Sequence, residues 1–148
     1  MPPGQTGGLN ATPEEIEDIL INYRVIAVVG LSPDPERPSH RVAQYLQQHG
    51  YRIIPVNPRY TEVLGEKCYP SLKDIPFPVE VVDIFRKVGD IPGIVAEALD
   101  IKAKAVWMQL GLAEPESARR AREAGIKVVM DRCMKVEHAH LSGVKKLT

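Results

Sequence analysis

Val25-Ile-Ala-Val-Val-Gly30 is the stretch that decides the fold. It is short, wholly apolar, rich in β-branched residues and closed by glycine. Such a run predicts a parallel strand covered on both faces, because a strand with one wet face would alternate apolar and polar residues. Downstream, Leu31 to Pro38 is a loop holding three prolines. A helix resumes near Ser39, with Val42, Ala43 and Leu46 on its inner side and Gly50 as its stop. Upstream, Thr12 as N-cap, Pro13 in the first turn and Glu15 as capping-box partner mark a helix start. Ile16, Ile19 and Leu20 share one face of that helix and predict that it lies on the body of the domain.

The same alternation continues along the chain. Arg52 to Val56 is a second strand closed by Asn57-Pro58, and Pro55 within it disfavours a central, fully bonded position. Val79 to Phe85 is a third. Asp90 is placed to cap the next helix, where Ile91, Ile94, Val95, Ala98 and Leu99 keep a helical period. Ala105 to Gln109 is a fourth strand with Gly111 as its exit. Pro115 to Ala124 is a helix ended by Gly125, Lys127 to Asp131 is a fifth strand, and a short helix precedes the Lys-rich end. This order predicts a single α/β domain over residues 12–141: a Rossmann-type, three-layer, doubly wound parallel sheet of about five strands with right-handed crossovers. Residues 1–11 and 142–148 are expected to be tails.

Composition narrows the function. The chain has 148 residues, enough for one cored domain, with 44% apolar and 26% charged residues. Lys plus Arg equals Asp plus Glu at 19 each, so no net charge favours nucleic acid or a membrane surface, and neither is expected as a partner. Cys68 and Cys133 are far apart, which argues against a disulfide framework or a structural zinc site. Met1 to Asn10 has no apolar leader core, and no apolar run reaches the roughly 20 residues of a membrane span. A cytoplasmic location is expected.

Ligands of such sheets bind beyond the carboxyl ends of the strands, where the strand order reverses. Past the first strand stands Gly30-Leu-Ser-Pro-Asp-Pro-Glu-Arg-Pro-Ser39. Gly30 lets the backbone turn and a phosphate approach, and the following helix offers free N–H groups and its positive end. Ser32 and Ser39 add hydroxyls; Arg37 and Arg41 add charge. The dinucleotide pattern G-x-G-x-x-G fails, since Ser32 and Pro35 hold its later glycine places. Past the second strand, Asn57-Pro58-Arg59 puts arginine where an NAD site wants an acid for the ribose hydroxyls. Arginine suits a ribose phosphate, which both NADP and coenzyme A carry. Phe85-Arg86, Gln109 to Gly111 and Asp131-Arg132 follow the other strands. Phe85 serves either as a platform for adenine or as core.

Six segments in register carry a family resemblance: Gly30-Leu-Ser-Pro33, Pro55-Val-Asn-Pro58, Tyr69-Pro-Ser-Leu72, Val82-Asp-Ile-Phe-Arg86, Val106-Trp-Met-Gln-Leu-Gly111 and Met130-Asp-Arg-Cys133. Together they resemble the small stand-alone CoA-binding domains, which are similar to the amino-terminal domain of the succinyl-CoA synthetase α subunit. The resemblance implies coenzyme A as ligand, its ADP moiety lying across the strand ends. Phosphate would lie on the loop Gly30 to Ser39, which includes Leu31. The nucleotide would meet Asn57, Pro58 and Arg59, while Phe85, Arg86, Gln109 and Gly111 would line the site. The synthetase's phosphohistidine belongs to a second domain whose motif is absent here, so ligase chemistry is not implied.

No nucleophile elbow or Ser-His-Asp set appears, and no catalytic residue is expected. His40, near the proposed site, reads as a solvated side chain rather than a phosphate donor. His138 and His140, two apart, do not share a helix face and do not suggest a metal site. Asp83 inside its apolar strand reads as a paired structural acid, and Cys133 as a spectator. The leading expectation is a non-catalytic protein that binds CoA or an acyl-CoA. The alternatives are an NADP-dependent reductase and an interaction scaffold without a ligand. Homodimerisation stays open.

Overall fold

The computed structural model describes residues 8–146. Its centre is a five-stranded sheet of β1 (Val25–Val29), β2 (Arg52–Val56), β5 (Val81–Ile84), β6 (Ala105–Met108) and β7 (Lys127–Val129). The strands lie in the order β2-β1-β5-β6-β7, and every pair in this sheet is parallel. The apolar runs of the sequence are these strands. They are buried on both faces because helices cover both. α1 (Pro13–Asn22), α2 (Pro38–Gln48) and α5 (Met134–Lys146) pack on one face, through Ile19, Leu46 and Met134 against Ile26, Val28 and Trp107. α3 (Ile91–Asp100) and α4 (Pro115–Glu123) pack on the other, through Ile91, Val95, Ala118 and Ala121 against Val82, Ile84 and Val106.

Local signals in the sequence explain several boundaries. The capping box of α1 is formed: Thr12 Oγ1 accepts the Glu15 N–H, and Glu15 Oε1 accepts the Thr12 N–H. Gly50 ends the turn after α2 with φ +92°, a conformation that favours glycine. β2 with its Pro55 is an edge strand, as a missing N–H requires. Its outer side is met by Tyr69, whose N–H donates to the Pro55 carbonyl at 3.0 Å and whose carbonyl accepts the Asn57 N–H at 2.9 Å.

Other boundaries differ from expectation. The third strand is Val81–Ile84, so Phe85 stands past its end. Between β2 and β5 the chain adds an unforeseen hairpin, β3 (Glu62–Val63) and β4 (Glu66–Lys67), turned by Leu64 and Gly65, both at positive φ. α5 runs for 13 residues rather than as a short helix, so backbone expected as tail from residue 142 is helical to Lys146. At the other end, Leu9 to Ala11 is held against the body: Asn10 exchanges hydrogen bonds with both backbone groups of Met130, at 3.0 and 2.7 Å. The rest of the expected tails, residues 1–7 and 147–148, lies outside the described residues. Among the described residues, no helix is long and apolar enough to cross a membrane.

Candidate functional site

From β1 the chain crosses to β2 on one side and later reaches β5 on the other, so the strand order reverses between β1 and β5. Their carboxyl ends meet at Gly30. Its N–H donates to the Val56 carbonyl at 2.8 Å, and the Phe85 N–H donates to the Val29 carbonyl at 2.9 Å. Gly30 has φ +89°, and a Cβ there would stand 2.3 Å from the Phe85 carbonyl oxygen and 2.8 Å from Arg86 Cδ. The glycine is thus required first by the protein's own backbone, which leaves the crevice floor made of main chain.

The loop after Gly30 is tied by its short polar side chains. Ser39 Oγ accepts the Ser32 N–H at 3.0 Å, Ser32 Oγ accepts the Asp34 N–H at 3.1 Å, and Asp34 Oδ1 accepts the Glu36 N–H at 2.9 Å. Arg37 occupies the N-cap of α2 without a side-chain capping bond, and Pro38 follows it. Pro38 has no N–H, and those of His40 and Arg41 donate to the Arg37 carbonyl at 3.1 and 3.2 Å, so what α2 offers the crevice is chiefly its positive end. Asn57, 8% exposed, clamps the neighbouring turn: its Nδ2 donates to the Leu31 carbonyl at 3.1 Å and its Oδ1 accepts the Arg59 N–H at 3.0 Å.

These segments enclose an open cavity of about 710 Å³. Of the residues singled out in the sequence, it gathers Gly30, Ser32, Arg37, Ser39, Asn57, Arg59, Phe85 and Arg86. Pro38, Tyr60, Lys87 and Asp90 line it too and were not singled out for it. Their only sequence signal was adjacency to Ser39, Arg59 and Arg86 in segments just past strand ends. Arg37, Arg59, Arg86 and Lys87 face one carboxylate, Asp90, which lies 3.4 Å from Arg86 Nε. Asp90 was expected to cap α3; it holds the N-cap position but makes no side-chain capping bond. The charge of the lining is strongly positive on a chain of zero net charge.

The remaining expected residues are elsewhere. Leu31 is fully buried in the core, Arg41 is exposed on α2, and Pro58 is exposed beside Asn57 without lining the cavity. Gln109 is buried and engaged by Asp83, while Gly111 belongs to the loop after β6, its N–H donating to Asp131 Oδ1 at 2.7 Å. His40 is not solvated: it is 9% exposed on the first turn of α2, and its Nδ1 has no partner among the described residues. Asp83 is the paired acid expected, with Gln109 as its partner. Cys133 is half-buried, and both cysteines are free. Among the described residues, no group of three or more His, Cys, Asp or Glu side chains is arranged to hold a metal.

The chain is thus a doubly wound parallel α/β domain with a cationic crevice at the switch point of its sheet, the place where such sheets hold their ligands. The comparison with known families specifies its kind. Residues 24–139 match the CoA binding domain family, and the chain belongs to it. It is 45% identical over 130 residues to Bacillus subtilis (strain 168) "Uncharacterized protein YneT", covering 88% of this chain and 96% of that one. It superposes on the structure of a hypothetical protein from Pyrococcus horikoshii OT3 with TM-score 0.87 and 47% identity, covering 92% of this chain and 96% of the other. It is also 31% identical over 126 residues to acetate–CoA ligase [ADP-forming] I of Archaeoglobus fulgidus. That match takes in 78% of this chain but only 18% of the ligase. The family is thus a module found both in large ligases and as small separate proteins.

Proposed function

We propose that this chain binds coenzyme A or an acyl-CoA, holds its ADP moiety across the carboxyl ends of β1, β2 and β5, and catalyses nothing by itself. The observation that carries this reading is the cationic cavity at the switch point, lined by Arg37, Arg59, Arg86 and Lys87 around the Gly30 turn. The donor set fits the group. The positive end of α2 with Arg37 and the Ser32 and Ser39 hydroxyls suits the diphosphate, Arg59 the ribose 3′-phosphate, and the half-buried Phe85 ring a base. The alternative ligand is NADP, which carries a ribose phosphate as well. The missing glycine fingerprint and the proline-rich loop favour CoA, because prolines remove the N–H donors on which a tight dinucleotide turn depends.

The binding-only role rests on the makeup of the cavity. Its polar side chains are cations, hydroxyls, one amide and one carboxylate already beside an arginine, with no base and nucleophile paired among them. The ligase relatives are far longer than the region matched, and their activity does not pass to this module by likeness. A cytoplasmic location belongs to the same reading, with both thiols unpaired.

Calorimetry with CoA, dephospho-CoA, NADP and NAD tests the proposal. CoA is expected to bind about 10- to 150-fold more tightly than dephospho-CoA, the worth of one charge-assisted contact. Tighter binding of NADP than of CoA would replace this reading with the reductase. Turnover of acetyl-CoA, or of CoA with ATP and a carboxylate, by the purified chain would end the binding-only role.

A further inference from the structure

At the opposite end of the sheet, near the amino ends of β1 and β2, a second cavity of about 220 Å³ is lined by Arg24, His49 and His138 together with Tyr51, Leu20, Ile21 and Leu141. Its three basic groups come from three parts of the chain: the link into β1, the end of α2, and α5. Among the described residues, none of the three has a carboxylate within ion-pair distance. Glu80 Oε1 accepts the backbone N–H groups of Arg24 and Val25, at 2.8 and 3.0 Å. Glu17 and Glu137 line the neighbouring groove between α1 and α5 instead. On the α5 side, Lys135 adds a further cation 5.5 Å from the Tyr45 ring.

The basic groups are held in place with donors to spare. Tyr45 stacks on His49 with ring centroids 4.0 Å apart, and His49 Nδ1 lies 2.7 Å from the Tyr45 carbonyl. The Tyr45 hydroxyl lies 2.9 Å from His138 Nδ1. Both imidazoles thus have Nδ1 engaged and Nε2 left over. Arg24 Nη1 donates to the Leu20 carbonyl at 3.1 Å, which also accepts the Tyr51 hydroxyl, and the guanidinium lies over the Tyr51 ring, 5.0 Å from its centroid. Burial first, then the positive charges of His49 and Arg24, holds His138 below the usual histidine pKa. A negative charge seated among the three would reverse the last two effects.

We propose that this cavity binds a small organic monocarboxylate, its carboxylate on Arg24 and the two Nε2 groups and its short aliphatic tail on Leu20, Ile21 and Leu141. The apolar half of the wall favours a carboxylate with a tail over a bare inorganic anion. Binding draws a proton onto His138, so affinity rises as pH falls toward the lowered His138 pKa. The site is separate from the strand-end cavity, and the proposal does not rest on what that cavity holds.

The test is imidazole NMR of the full chain titrated with sodium butyrate, with sodium chloride and inorganic phosphate as separate arms. Butyrate is expected to give saturable shifts at His49 and His138 and to raise the His138 pKa. Arg24→Gln is expected to weaken butyrate binding at least ten-fold. His49→Gln, on an exposed helix surface, is expected to weaken it several-fold without loss of fold, and Arg59→Ala to leave it unchanged. Equal shifts with chloride, saturation by phosphate but not by butyrate, or no saturable response would each overturn the proposal.

Discussion

Gln109 Nε2 donates to Asp83 Oδ1 at 2.6 Å inside the sheet, and the other carboxylate oxygen of Asp83 has no partner. Asp83 is fully buried between the register partners Val28 and Trp107. Burial, opposed only in part by the Gln109 bond, pushes its pKa up to about 7 from an ordinary 3.8. The folded protein then keeps a proton that the unfolded chain has released. Stability therefore falls as pH rises from about 4 to about 7 and is flat above that. The full span corresponds to about 4 kcal/mol. Asp83→Asn is expected to remove this slope and to be about 2–4 kcal/mol more stable than the parent at pH 8. Urea unfolding at pH 5 and pH 8 checks both; parallel pH profiles for the two proteins would exclude Asp83 as the source.

Gly30 yields a second expectation. The position cannot take a Cβ without moving the Phe85 carbonyl, and its φ of +89° strains any side chain. Gly30→Ala is expected to cost about 2–4 kcal/mol and to shift the Phe85-Arg86 exit, weakening CoA binding in a chain that still folds. Denaturant midpoints and calorimetry measure the two effects separately. Unchanged stability would mean that the β1 and β5 ends do not meet as closely as described.

Arg122 joins three segments. Its Nε donates to the Leu9 carbonyl at 2.8 Å, its Nη1 to Glu15 at 2.8 Å and its Nη2 to the Val128 carbonyl at 3.1 Å. The Arg122 hydrogen bond is also the main reason that Glu15 sits below the usual glutamate pKa. That contribution is present above the unfolded pKa and is lost as pH falls through the lowered folded value. Arg122→Ala is expected to cost about 1–3 kcal/mol and to speed amide exchange at Ala11 and Met130, where the amino-terminal strap is fastened. Hydrogen exchange with the protection of Ala11 unaltered would show that Asn10 alone holds the strap.

The legible parts of the fold are those written in short-range chemistry. All-apolar runs ending at Gly30, Asn57 and Gln109 announced the buried parallel strands, and Pro55 announced the edge. The β3–β4 hairpin was not legible, because two-residue strands carry no alternation to read. The length of α5 was hidden by Gly143 and by a run of charged residues near the chain end. The cavity was legible in outline because strand ends converge by topology. Its membership was not: Gln109 follows β6 as Arg59 follows β2, yet one is drawn into the core by Asp83 and the other is left exposed. His40 likewise gave no sign that its helix turns it inward.

The last expectation separates the roles of two arginines in the strand-end cavity. Arg59 follows β2, where an arginine suits a ribose phosphate, and Arg37 stands at the N-cap of α2, where a diphosphate would lie. Neither has an ion-pair partner among the described residues, so removing either breaks no internal salt bridge. Arg59→Ala is expected to raise the Kd for CoA by about 10- to 150-fold while leaving dephospho-CoA within about two-fold. Arg37→Ala is expected to weaken both ligands alike, because both carry the diphosphate. Each loss should shrink as salt rises, since exposed charges are screened. Calorimetry of the two variants against the two ligands forms a closed cycle whose coupling term belongs to the 3′-phosphate. A coupling near zero for Arg59, or a large one for Arg37, would exchange their assignments and place the ribose phosphate on the α2 side of the crevice.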